Sequence, residues 1–305
     1  MVITPELIED LENFAERIRN RVFAHVLKNN GGYLSQALSA GEIFAALYGA
    51  VLKLGPVEGS SLPTKFPGTP GPHNQAYISG ARFNGSPSAE RDRFLFSPAH
   101  YALVLYTALI EAGRLDPAAL DQFNADGGTM EMIGAEHSPG VETTTGSLAQ
   151  ALSQASGIAL ARQMRGETGR TWVFMSDGEF QEGQTYEALQ FAAYHRLAKL
   201  RAVVDANGQQ CDGAMDDVMS IEPVVERVRA FGCEAVAVDG HDMAQLVAAL
   251  EQPTKKPLIV IARTNPTHTL PLLAERSPVL HYLRFGSTAE RERYQAVYDQ
   301  QLVSV

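Results

Sequence analysis

The chain has two cysteines, one tryptophan and no long apolar run among its 305 residues. Cys211 and Cys233 form no C-x-x-C pair and are too few to make a zinc site. They read as reduced thiols of a cytoplasmic protein. No stretch reaches the roughly 18 consecutive apolar residues of a membrane span. Basic residues are outnumbered 25 to 35 and scattered, giving a net charge of −10. That balance excludes nucleic acid or an anionic membrane surface as a general partner. Neither a Walker A motif nor a G-x-G-x-x-G occurs, so the usual nucleotide-binding loops are absent. The first twenty residues are acidic and amphipathic, unlike the basic and then apolar pattern of a secretion signal. Without such a signal, the sequon Asn84-Gly85-Ser86 reads as a turn.

What is present is a 45% apolar composition, enough for one large α/β core. Thr4-Pro5-Glu6 starts a helix, and Leu7, Leu11, Phe14, Ile18 and Val22 mark its buried stripe towards Lys28. A second helix is expected over 39–53, with Ser39 and Glu42 spaced as a capping box. Residues 55–90 are rich in proline and glycine and show no period, which reads as a long functional or disordered loop. "RDRFLFSPAH" leads into a helix over 99–112, and a glycine-rich stretch precedes another over 147–165.

From there strands and helices alternate. Strands are expected at 171–176, 201–205, 235–238 and 258–262, with helices at 183–197, 221–231 and 243–251. Short, wholly apolar strands separated by helices call for a parallel sheet covered on both faces. No repeat or linker appears, so residues 1–305 read as a single domain. Its helical N-terminal region spans 1–112 and its alternating core about 140–263.

Polar residues cap two of these strands. Asp177 follows the run "WVFMS" and Asn207 the run "AVVDA", thirty residues apart, about one βαβ unit. In open parallel sheets ligands bind beyond the carboxyl ends of the strands, so both side chains can face one site. A carboxylate, an amide oxygen and a backbone carbonyl suit Mg²⁺ or Ca²⁺. Gly178 leaves room for a phosphate, and the next helix start offers free amides to an anion. Read locally, Asp-Gly and Asn-Gly are equally compatible with tight turns.

The span resembles the thiamine diphosphate signature, Gly-Asp-Gly followed some thirty residues later by Asn. More particularly it is similar to the N-terminal, diphosphate-binding part of the transketolases. "HSPGVETTTGSLAQALSQASGIALA", "RDRFLFSPAH", "DGEFQEG", "VVDANGQQCDG" and "AVDGHD" fall in that family's order, covering about residues 17–263. The resemblance implies that Asp177, Asn207 and the Gln209 carbonyl hold Mg²⁺, or Ca²⁺ as a substitute. It implies that Gly178 meets the diphosphate and that Gly146 and Leu148 line the cofactor. Glu182 would belong to a carboxylate network at a subunit interface. His100 would face the cofactor and the reacting carbon, and His281 would match a later active-site histidine. Read without the family, His100 is a helix-start histidine bonded to backbone.

The implied activity is transfer of a two-carbon ketol unit from a ketose to an aldose, on sugar phosphates or an unusual sugar. Three positions depart from the family. Ser176 replaces the first glycine of Gly-Asp-Gly, while Tyr33 and Met132 stand where the family has histidines. Those two exchanges imply either a substrate other than the usual pentose phosphates or a partly degenerate chain, and the intact metal residues favour the first. No segment after about residue 265 matches a pyrimidine-binding domain. The resemblance therefore implies the N-terminal subunit of a split transketolase, working with a separate C-terminal subunit in an α2β2 assembly. Two alternatives stay open: a thiamine-dependent 2-oxo acid dehydrogenase or acyloin-type subunit, and a non-catalytic scaffold subunit that keeps the fold.

Overall fold

A computed structural model describes residues 2–303. The first helix, α1 (Pro5–Lys28), begins as the sequence indicates: the Thr4 hydroxyl accepts from the Leu7 amide at 3.2 Å, with proline at the first helical position. Its stripe Leu11, Phe14, Ile18 and Val22 is buried. A two-residue strand β1 (Gly31–Gly32) follows, then α2 (Leu34–Ala46), which widens into a π-turn at Leu47–Val51.

The second helix therefore starts five residues earlier than expected and Ser39 is not its cap. Ser39 and Glu42 mimic a capping box in sequence but are drawn into tertiary partners. Ser39 bonds Asp205, and Glu42 pairs with Arg19 of α1 at 2.6 Å. A capping box does form at Ser176 and Glu179, around the 3-10 turn Asp177–Gln181.

The remaining elements run in chain order. They are β2 (Arg93–Phe96), α3 (Ala102–Glu111), α4 (Gln150–Met164), β3 (Thr171–Ser176), α5 (Gly183–Tyr194) and β4 (Leu200–Ala206). The hairpin β5 (Gln209–Gln210) and β6 (Gly213–Ala214) comes next, then α6 (Met215–Val218), α7 (Val224–Ala230) and β7 (Glu234–Asp239). The chain closes with α8 (Met243–Leu250), β8 (Leu258–Arg263), α9 (Pro271–Ala274), β9 (Leu283–Arg284) and α10 (Thr288–Val303). The strand β2 and the helix α10 were not foreseen from sequence.

Among the described residues five strands form one parallel sheet in the order β2-β3-β4-β8-β7. Ser176 pairs with Asp205 in register, so the polar ends of β3 and β4 finish side by side. Both strands are buried throughout, and β4 buries Arg201 and Asp205 along with its apolar residues. Alternation splits the core in two. Trp172 and Phe174 face α1, α2, α3 and α8, while Val173 and Met175 face α4, α5 and α7. The loop over 55–90 is pinned rather than loose. A Cβ at Gly80 would lie 1.8 Å from the Ser138 carbonyl oxygen, so only glycine allows that approach. No helix among the described residues is long and apolar enough to cross a membrane.

Candidate functional site

The carboxyl ends of β3 and β4 bring Asp177, Asn207 and Gln209 together. Asp177 is buried, and its carboxylate accepts only backbone amides: Gly178 at 2.8 Å and Gly208 at 2.8 Å. The Asn207 side-chain oxygen accepts from the Gln209 amide at 2.9 Å. Burial, then the neighbouring Asp205 carboxylate, pushes the Asp177 carboxyl up to about 7. A buried carboxylate beside another and without a cation is expensive. A divalent ion at this place would remove that cost, and the donors present are the hard oxygens such an ion takes. A Cβ at Gly178 would meet nothing within 4 Å, so the space before the turn is open to a phosphate. Residues and group fit one another.

The loop that precedes α4 is held at the same place. Glu179 is fully buried and accepts from the Ser97 hydroxyl, the Ala149 amide at 2.8 Å and the Ser176 amide at 2.9 Å. Burial raises its pKa. Ala149 sits at φ +69, a left-handed conformation that a non-glycine adopts at a cost. Gly146 and half-buried Leu148 lie just before it; a Cβ at Gly146 would come within 2.6 Å of the Ile133 side chain and 3.9 Å of Ala99. Gly146 thus borders the segment that carries His100.

His100, His281 and Tyr33 cluster at the mouth of this edge. The His100 ring centroid lies 4.8 Å from that of His281 and 6.0 Å from that of Tyr33. Burial, then the His281 imidazole, pushes His100 down to about 3, so its ring is neutral at physiological pH. Burial lowers His281 as well. Their rings make no hydrogen bond with the described residues, and His100 is not bonded to backbone. Tyr33, His100 and Met132 line one cavity of about 180 Å³ with His25, Phe123 and Tyr282. No side chain that is charged at neutral pH lines it. Glu182 stands apart. It is exposed at the start of α5, and its carboxylate bonds to nothing in the described residues.

Two features escaped the sequence reading. Asp205, read as part of an apolar strand, is fully buried and accepts from Ser39 and Tyr101. Two strands further along the edge, Glu42, His241 and His268 cluster closely enough to suggest a metal. Their bonding argues otherwise. His241 Nδ1 donates to Glu42 at 3.2 Å, while its Nε2 accepts from the Asn265 amide at 2.8 Å. The cation on Glu42 is the Arg19 guanidinium, so this is an ion-paired brace.

A family model described as "Transketolase, thiamine diphosphate binding domain" matches residues 83–279. An uncharacterized transketolase family protein of Sinorhizobium fredii is 38% identical over 199 residues, 64% of this chain and 71% of its own. A 6-deoxy-6-sulfo-D-fructose transketolase subunit of Clostridium sp. is 32% identical over 259 residues, 84% of each chain. The transketolase of Campylobacter jejuni superposes with a TM-score of 0.68 at 21% identity, covering 99% of this chain and 48% of that one. The chain thus spans about half the length of that solved transketolase. Tyr33 and His281 fall outside the family match, whereas Asp177, Asn207 and His100 fall within it. The chain belongs to the transketolase family, whose thiamine diphosphate binding domain it carries.

Proposed function

We propose that this chain is the cofactor-binding, N-terminal subunit of a two-subunit transketolase, transferring a two-carbon ketol unit from a ketose to an aldose. The observation that carries this reading is the convergence of Asp177, Asn207 and Gln209 at the ends of adjacent parallel strands. Asp177, the Asn207 oxygen and the Gln209 carbonyl would hold Mg²⁺, with Gly178 beside the diphosphate and Gly146 and Leu148 beside the cofactor's ring. When bound, thiamine diphosphate supplies the nucleophilic carbon that cleaves and forms the sugar's carbon–carbon bond.

The chain's own groups do the rest. The neutral imidazoles of His100 and His281 hydrogen-bond and orient the sugar hydroxyls beside the reacting carbon, a role that their lowered pKa values suit better than proton uptake. The cavity walls of Tyr33 and Met132 offer a phenol and a thioether, favouring a substrate with fewer hydroxyls to satisfy there than pentose phosphates carry. A separate C-terminal subunit, in an α2β2 assembly, completes the site and meets Glu182. The name of the clostridial relative, a transketolase subunit of matching extent, supports that division. Residues 1–305 act as one diphosphate-binding unit. Free thiols at exposed Cys211 and buried Cys233 favour a cytoplasmic setting.

The test is calorimetric titration of the chain with thiamine diphosphate and Mg²⁺, together with ketol transfer assayed with and without a co-encoded C-terminal subunit. Asp177→Ala should abolish binding, and transfer should require both subunits. Equal binding by wild type and variant, or transfer by this chain alone, would overturn the reading.

A further inference from the structure

Asp205 lies one residue before the end of β4, and four donors from four segments converge on its carboxylate. The Ser39 hydroxyl of α2 reaches Oδ2 at 2.5 Å, and the Tyr101 hydroxyl, just before α3, reaches it at 2.6 Å. Asn207 Nδ2 reaches the same oxygen at 3.3 Å. The Thr264 hydroxyl, just past β8, donates to Oδ1.

This arrangement decides which way the Asn207 amide points. Its NH₂ group has three oxygens in reach: Tyr101 at 3.0 Å, Asp205 at 3.3 Å and Ser39 at 3.4 Å. The amide carbonyl therefore faces the other side, where it accepts from Gln209. Turned over, the amide would set its oxygen against the Asp205 carboxylate and the Tyr101 oxygen, with no proton between them. The Tyr101 proton is already committed to Asp205, so that hydroxyl can only accept from Asn207.

We infer that Asp205 is a positioning residue of the cation site: it holds the Asn207 amide so that its oxygen, not its nitrogen, is presented beside Asp177. The inference rests on the proposal that Asp177 and Asn207 bind the cation. Loss of a partner that orients a ligand in this way typically costs about 10- to 100-fold in metal affinity.

The full chain is titrated with Mn²⁺ in the presence of thiamine diphosphate, and bound Mn²⁺ is counted by electron paramagnetic resonance. Asp205→Asn should weaken Mn²⁺ binding by about 10- to 100-fold while the circular dichroism spectrum stays that of wild type. The exchange variant Asp205→Asn/Asn207→Asp restores an amide–carboxylate pair with the roles reversed and still presents an oxygen. It should recover affinity to within about tenfold of wild type, which a merely structural role for Asp205 does not predict. If Asp205→Asn fails to fold, the exchange variant decides alone: folding with binding supports the inference, folding without it overturns it. Tyr101→Phe, which removes one acceptor of the amide, should lower affinity measurably; unchanged affinity there also counts against the inference. Should Asp205→Asn bind like wild type while Asp177→Ala does not, the positioning role fails and the cation site stands. Should Asp177→Ala also bind like wild type, the failure belongs to the cation site itself.

Discussion

At the scale of single residues, what the sequence revealed was polarity at the end of an apolar run. Asp177 and Asn207 stood out because an apolar strand stops at each, and strand ends are where parallel sheets bind ligands. Asp205 did not stand out, although it lies only two residues before Asn207. Its meaning comes from Ser39, Tyr101 and Thr264, which only folding brings together. His100 was named from family resemblance, and its environment adds a consequence. Its folded pKa of about 3 lies below the ordinary value near 6.5. Between those values the unfolded chain takes up a proton that the folded chain refuses, so His100 removes stability as pH falls from about 6.5 towards 3. Urea unfolding of wild type and His100→Gln at pH 6.5 and pH 4.5 should therefore differ in slope. Wild type should lose about 1 kcal/mol more per pH unit than the variant. Parallel losses in the two proteins would contradict the neutral, buried histidine.

At the scale of elements, type was more legible than boundary. The strands β3, β4 and β8 lie within a residue of where their apolar runs place them, because burial on both faces selects predominantly apolar sequence. Strand β2 was missed, since four residues of "RFLF" flow directly into a helical stretch and gain their strand character only by pairing with β3. The start of α2 was misplaced because Ser39 and Glu42 match a local capping pattern while serving distant partners. Substitution separates the two roles of Glu42. A capping box accepts glutamine as readily as glutamate. A buried ion pair does not, and the Glu42 side chain is only 6% exposed against Arg19. Glu42→Gln should cost about 3 kcal/mol in chemical denaturation. A change below about 0.5 kcal/mol would return Glu42 to a capping role. Ala149→Gly makes the opposite case. At φ +69 glycine relieves the left-handed strain, and the variant should be stabilised by up to about 1 kcal/mol, read as a higher unfolding midpoint.

At the scale of the molecule, the sheet divides the core so that each layer has its own task. The α1, α2 and α3 side supplies Ser39, Tyr33 and the turn carrying His100 and Tyr101, which close over the site from one face. The α4 and α5 side supplies the loop before α4 and ends outward in exposed Met164, Phe191 and Tyr194, with Glu182 at the start of α5. A carboxylate that is exposed and unbonded in this chain contributes little to its stability. If Glu182 acts through a partner, its substitution must be silent in the isolated chain and visible only in the complex. Glu182→Gln should leave the unfolding midpoint and Mn²⁺ affinity of the chain unchanged. It should lower ketol transfer by the two-subunit enzyme by about a hundredfold or more, the scale of a lost proton-transfer group. Tyr194→Asp, on the outer end of the same helix, should weaken subunit association measured by ultracentrifugation without altering cation binding. On the proposed two-subunit reading, the pair of variants would separate a part of this face that holds the second subunit from a part that works with it. A Glu182→Gln complex of wild-type activity would confine this chain's share of catalysis to the edge formed by β3 and β4.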